Sequence, residues 1–118
     1  APCIACIRSW DTGVLDKQKG FHSYLNCVKG LGTLRVDTVV SHGLSYLDPE
    51  PDARLQEFFG TKLQHYTPLT VLGDIGASGP CFLLYVAVML IRMKKAKHVL
   101  VCFITETRDF QNIVVSAI

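Results

Sequence analysis

The chain has 118 residues, 49% of them apolar, which suffices for one domain with a hydrophobic core that needs no disulfide or metal support. Twelve basic residues against ten acidic ones leave a formal charge of +2, too even a balance for the concentrated basic face of a nucleic-acid-binding protein. The longest uninterrupted apolar run, Cys81 to Ile91, has eleven residues. A membrane-spanning helix needs roughly twenty, so no transmembrane segment is expected.

Cys3 to Arg8 is a short apolar run predicted to form a strand, with Trp10 to Gly13 breaking it through turn-forming residues. From Asp16 to about Leu31, Phe21, Tyr24, Leu25, Val28 and Leu31 recur at three- and four-residue intervals, which places them on one helix face, and Gly30 and Gly32 supply the stop. Val36 to Ser41 reads as a buried strand, and His42-Gly43 opens the loop that leaves its C-terminal end. The run Asp48, Pro49, Glu50, Pro51, Asp52 combines acids and proline at a helix start, with Leu55, Phe58 and Phe59 as the buried face and Gly60 as the end.

Leu69 to Leu72 is read as a third strand, Ser78 to Lys95 as a long helix, and Val99 to Ile104 as a fourth strand rich in β-branched and aromatic residues. Apolar nearly all round, the long helix is expected to lie buried between layers. The basic cluster Arg92 to Lys97 follows it and reads as a solvated C-terminal turn that complements the helix dipole. Ile113 to Ile118 adds a last strand. Strands alternating with helices of these lengths predict a single α/β domain over residues 1–118, its sheet mostly parallel with helices on both faces.

The stretch Val36 to Glu106, about seventy residues, resembles the N-terminal half of the thiolase-superfamily condensing enzymes, in particular the coenzyme-A-primed ketoacyl synthases (type III). In that family a strand introduced by an "ID" or "VD" pair leads to a loop with a Pro-containing segment and then a helix ending in "LG" or "FG", matched here by Val36-Asp37-Thr38-Val39-Val40, Asp48-Pro49-Glu50-Pro51 and Phe58-Phe59-Gly60. The family continues with a short strand, an Asp, a small-residue turn, a long apolar helix and a strand of "VLVV" type closed by an acid. Leu69 to Leu72, Asp74, Ile75-Gly76-Ala77-Ser78-Gly79, the helix to Lys95, Val99-Leu100-Val101 and Glu106 follow that order.

The resemblance implies a thiolase-like half-fold and places the family's nucleophilic cysteine ten residues before Ala87, at Ala77. A methyl group cannot carry an acyl group, since the reaction needs a thiolate at a helix N-terminus. Ser78 and Cys81 are then the remaining nucleophile candidates, with Asp74, Gly76, Ser78 and Gly79 lining a ligand site whose backbone amides could hold a carboxylate, a phosphate or a thioester oxygen. Ser78, with no activating base visible in the sequence, reads first as an N-cap, and Cys81 on an apolar helix reads first as a buried, inert thiol.

Implied too are fatty-acid or polyketide-type metabolism, a coenzyme A or phosphopantetheine thioester as ligand, an acyl-carrier partner, and an oligomer with itself or another thiolase-like subunit that supplies the second half, unless the sequence is a piece of a longer chain. No resident cofactor is expected. A non-enzymatic α/β interaction module is the reading that needs no resemblance.

Cys3-x-x-Cys6 has zinc-ligand spacing, but on a strand these positions face opposite sides and no second Cys/His pair follows, so no metal is predicted. His22, His42, His65 and His98 are scattered and read as surface or capped residues. Five cysteines, an odd number, and a start without a basic segment and long apolar stretch point to reduced thiols and the cytoplasm.

Overall fold

The computed structural model describes residues 5–14, 24, 28, 36–60, 62–68, 79–105, 107 and 109–117. They form strands β1 (Ala5–Val14), β2 (Thr38–His42), β3 (Gln64–Tyr66), β4 (His98–Ile104) and β5 (Asp109–Ala117), and helices α1 (Pro51–Phe59) and α2 (Gly79–Arg92). A single 3-10 turn, Leu44–Tyr46, follows β2. Tyr24 and Val28 are also helical and fully buried, one turn apart on the apolar face predicted for that segment. The remainder of that predicted helix, the predicted strand Leu69 to Leu72 and Glu106 lie outside the described residues.

The strands make one sheet in the order β1-β5-β4-β2-β3. β2 pairs in parallel with β3 and β4, whereas β5 runs antiparallel to both β4 and β1 along longer ladders. The sheet is thus mixed, and the mostly parallel, thiolase-like sheet expected from the sequence is corrected. The cause lies in connection length. Only 105–108 separate β4 from β5, too few residues for the crossover that a parallel neighbour requires. The turn is closed by the Thr105 amide donating to the Asp109 carbonyl (3.0 Å) and by the Thr107 hydroxyl donating to the Asp109 carboxylate (2.7 Å).

Trp10 to Gly13, predicted to break the first strand, instead continues it to Val14, because β5 offers a full antiparallel partner. The irregularity is a bulge between Ile7 and Ser9. β3, a polar segment at the opposite side of the sheet, was not anticipated, and it is anchored by the Gln64 amide donating to the Asp37 carbonyl at 3.1 Å.

Side chains alternate across the sheet as the pleat dictates. One face carries Val39, Leu100, Cys102, Ile104, Phe110 and Val114 against Leu55 of α1, Leu44, Tyr24 and Val28. Val40, Val99, Val101 and Val115 line the other face against Leu83, Ala87 and Ile91 of α2. α1 begins with Pro51 in its first turn and ends at Gly60 (φ 108°), as the sequence signals indicate, but Phe58 is 37% exposed and only Leu55 of the expected face is fully buried. α2 is not enclosed: Cys81 and Tyr85 lie on an exposed side, so its apolar composition covers a solvent-facing surface as well as a core-facing one. Among the described residues no helix is long and apolar enough to cross a membrane.

Candidate functional site

The C-terminal end of β2 is where the chemistry-bearing side chains collect. Adjacent residues on a strand point to opposite faces, so Ser41 and His42 open two different environments.

On the α1 face, the Ser41 hydroxyl lies 2.6 Å from His65 Nε2, and His65 Nδ1 meets the Asp52 carboxylate. β3 supplies the histidine because His65 is in register with Val39, two residues before Ser41 and on the same face. The first turn of α1 supplies the acid. Both contacts are satisfied when Nδ1–H donates to Asp52 and Nε2 accepts from the Ser41 hydroxyl.

Asp52, His65 and Ser41 therefore have the connectivity of a nucleophile relay. Exposure decides what the relay can do. Asp52 is 74% exposed and the His65 side chain 10%, but Ser41 is 1% exposed, inside β2 and in register with buried Cys102 of β4. A nucleophile must leave room for an acyl carbon at the oxygen, and here the hydroxyl is enclosed. The chain of bonds ties α1 to the two strands.

The polar row continues along this face. Cys102 is fully buried, and burial pushes its thiol up to about 12, with a hydrogen bond shared with the Tyr24 oxygen opposing the shift. Such a thiol stays protonated and unreactive at neutral pH. Next in register, Asn112 of β5 accepts from the Tyr24 hydroxyl at 2.5 Å, while its own buried Nδ2 has no partner among the described residues.

On the α2 face, the His42 ring stacks on Phe103 of β4, with centroids 5.4 Å apart and planes inclined by 26°. The same phenyl ring packs on the first residue of α2, Gly79, where a β-carbon would come within 2.5 Å of it. Gly43, at φ 88°, turns the chain out of β2 against the Ile104 carbonyl, which a β-carbon would meet at 2.0 Å. Gly43 is thus required both by close approach of backbone and by its conformation, whereas a β-carbon at Gly79 would have to displace the Phe103 ring. The start of α2 consequently sits over the C-terminal ends of β2 and β4, the side of a parallel pairing at which ligands usually bind.

Of the residues singled out from sequence, Gly79 is buried beneath Phe103 and Cys81 is exposed in the first turn of α2, the reverse of the buried thiol that its apolar neighbours suggested. Ala77, Ser78, Asp74 and Gly76 lie outside the described residues. Ser41, His65 and Asp52 were missed as a group. His65 sits in a short polar strand without a hydrophobic pattern, and Asp52 reads only as a helix-start acid. Their spacing along the chain carries no signal.

Cys6, half-buried on β1, is a free thiol, as are Cys81 and Cys102. Among the described residues, no three His, Cys, Asp or Glu side chains are grouped to hold a metal ion. Comparison with protein-family models and with curated proteins gives no match.

Proposed function

We propose that this chain is a catalytically incomplete domain of the acyl-thioester condensing type, which binds an acyl group on coenzyme A or on a carrier protein and acts with a second subunit. The observation that carries the reading is the start of α2, packed through Gly79 and Phe103 over the ends of two parallel strands, in the element order β2-α1-β3-α2-β4. Ala77 at the position that the family resemblance gives to the nucleophile supports the incomplete state, and the exposed apolar side of α2 supports a partner subunit. The reading concerns this strand-helix unit and not the sheet as a whole, whose antiparallel half is a different arrangement. Free thiols in the described residues fit a reducing compartment, the cytoplasm.

One alternative has its own observation. The exposure of Cys81 in the first turn of α2 favours acyl transfer through this thiol, with the base supplied by the partner. In that step the Cys81 sulfur forms a bond to the thioester carbonyl carbon, the carrier's carbon–sulfur bond breaks, and the carrier thiol leaves with the proton.

Intact-mass measurement after incubation with an acyl-coenzyme A, alongside titration of a non-hydrolysable acyl-pantetheine analogue followed by amide shifts, separates the readings. Saturable binding without added mass is the expected result. An acyl increment lost in Cys81→Ser transfers the assignment to the thiol. Neither binding nor acylation refutes both readings and leaves a non-enzymatic interaction module.

A further inference from the structure

At the opposite, N-terminal end of the parallel strands lies a hollow of about 240 Å³ bordered by Lys62, Lys94, Lys95 and Lys97 together with Asp37 and Thr38. The geometry points to a binding site for a diphosphate-bearing small molecule in this hollow, independent of the proposed acyl site.

The first ground is charge. Four lysines border the hollow against one aspartate, and none of the four forms an ion pair among the described residues, whose salt bridges all involve Arg54 or His65. Like charges gathered around a concavity repel unless an anion joins them, and the field they focus into it attracts one.

The second ground is how the carboxylate is used. Asp37 does not neutralise the lysines. One of its oxygens accepts from the backbone amides of Lys97 (3.0 Å) and His98 (3.3 Å), and the other from the Thr38 hydroxyl (2.9 Å). With the Asp37 amide donating to the His98 carbonyl at 3.0 Å, these bonds fix the loop carrying three of the lysines to the start of β2. The cationic border is thereby held in place before any ligand arrives.

The third ground is Lys94 itself, whose φ of 60° is the left-handed conformation at the end of α2. The Lys94 amide donates to the Ile91 carbonyl (3.0 Å) and the Lys95 amide to the Leu90 carbonyl (2.9 Å), the paired bonds of a helix ending that normally takes glycine. A lysine there adds about 1 kcal/mol of backbone strain, and the side chain it retains lies at the hollow. Several lysines bordering so small a volume suit a compact, multiply charged anion, for which lysine is a point-charge partner. A single carboxylate would leave most of the charge unmatched.

Inorganic pyrophosphate is the probe, titrated into the intact chain at low salt and followed by calorimetry and by the amide shifts of Lys97 and His98. Saturable binding is expected, with those two amides moving first and the affinity falling as salt is raised. Lys95→Gln combined with Lys97→Gln should weaken binding about tenfold or more, and Arg92→Gln, on the exposed last turn of α2 outside the hollow, should leave it unchanged. ADP should compete with pyrophosphate for the same amides. Absence of saturable binding, equal affinity in the double variant, or a short nucleic-acid duplex displacing pyrophosphate at lower concentration than ADP would overturn the assignment. Circular dichroism of the double variant confirms that any loss is not unfolding.

Discussion

Replacing His65 by alanine removes the middle of the Asp52–His65–Ser41 chain, and the cost can be divided from the exposures. The Ser41 hydroxyl, 1% exposed, is left without the ring nitrogen 2.6 Å away, a stranding penalty of about 1–3 kcal/mol. Ser41→Ala removes the hydroxyl together with its need, and His65, 10% exposed, keeps Asp52 and gains access to water, so the cost is about 0.5–1.5 kcal/mol. Asp52→Asn alters a carboxylate that is 74% exposed and screened by solvent, with an expected cost of about 0–1 kcal/mol. The order is therefore His65→Ala, then Ser41→Ala, then Asp52→Asn.

The double variant Ser41→Ala with His65→Ala should cost less than the sum of its parts, because removing both partners leaves nothing stranded. Urea denaturation read by circular dichroism measures all four, a loss of about 2 kcal/mol moving the midpoint by roughly 1 M. A cost for Asp52→Asn equal to that of His65→Ala would refute the division by exposure. Stoichiometric labelling of Ser41 by a fluorophosphonate would refute the structural role itself, since it requires an open hydroxyl.

The Cys102 thiol has a folded-state pKa raised to about 12, so the stability it contributes is complete at neutral pH and declines as pH climbs above the ordinary thiol range towards about 12, where the unfolded chain alone ionises. Alkaline denaturation midpoints of the wild type and Cys102→Val should diverge over that window, the variant being the flatter. Iodoacetamide at neutral pH should modify Cys81 in the folded chain and Cys102 only after denaturation, as peptide mapping will show; rapid labelling of Cys102 would contradict its burial. Gly43→Ala should cost about 3 kcal/mol or more, because its β-carbon would meet the Ile104 carbonyl oxygen. Gly60→Ala, at φ 108° and ψ 164° with nothing within 4 Å, should carry the backbone cost alone, about 1–3 kcal/mol, and a loss no smaller than that of Gly43→Ala in thermal unfolding would discount the overlap.

The strands with the strongest local signal, Val36 to Ser41 and Val99 to Ile104, could be read from the sequence to within two residues, as could α1 from its proline and terminal glycine. Failures occurred where a distant partner overrides local preference. Trp10 to Gly13 has turn-forming residues, but β5 pairs with it throughout. The direction of β5 depends on the tight connection through Thr105 and Thr107, whose hydroxyls hold the Asp109 carboxylate, and periodicity does not report direction. β3 is three polar residues that become a strand because Asp37 and β2 are beside them. The relay was illegible for the same reason, as Ser41, His65 and Asp52 come from three elements that meet only in the folded chain.

Among the described residues β1 is the outermost strand of the sheet, with Trp10, Val14 and Ile7 exposed by 71%, 70% and 51%. Three large apolar side chains exposed along one strand favour contact with a further chain. Arg8 and Asp11 are the two charges that discourage stacking there. Handling at high protein concentration will accordingly be governed by this margin, and a lysine in place of Trp10 is the change that keeps the material dispersed without touching either core.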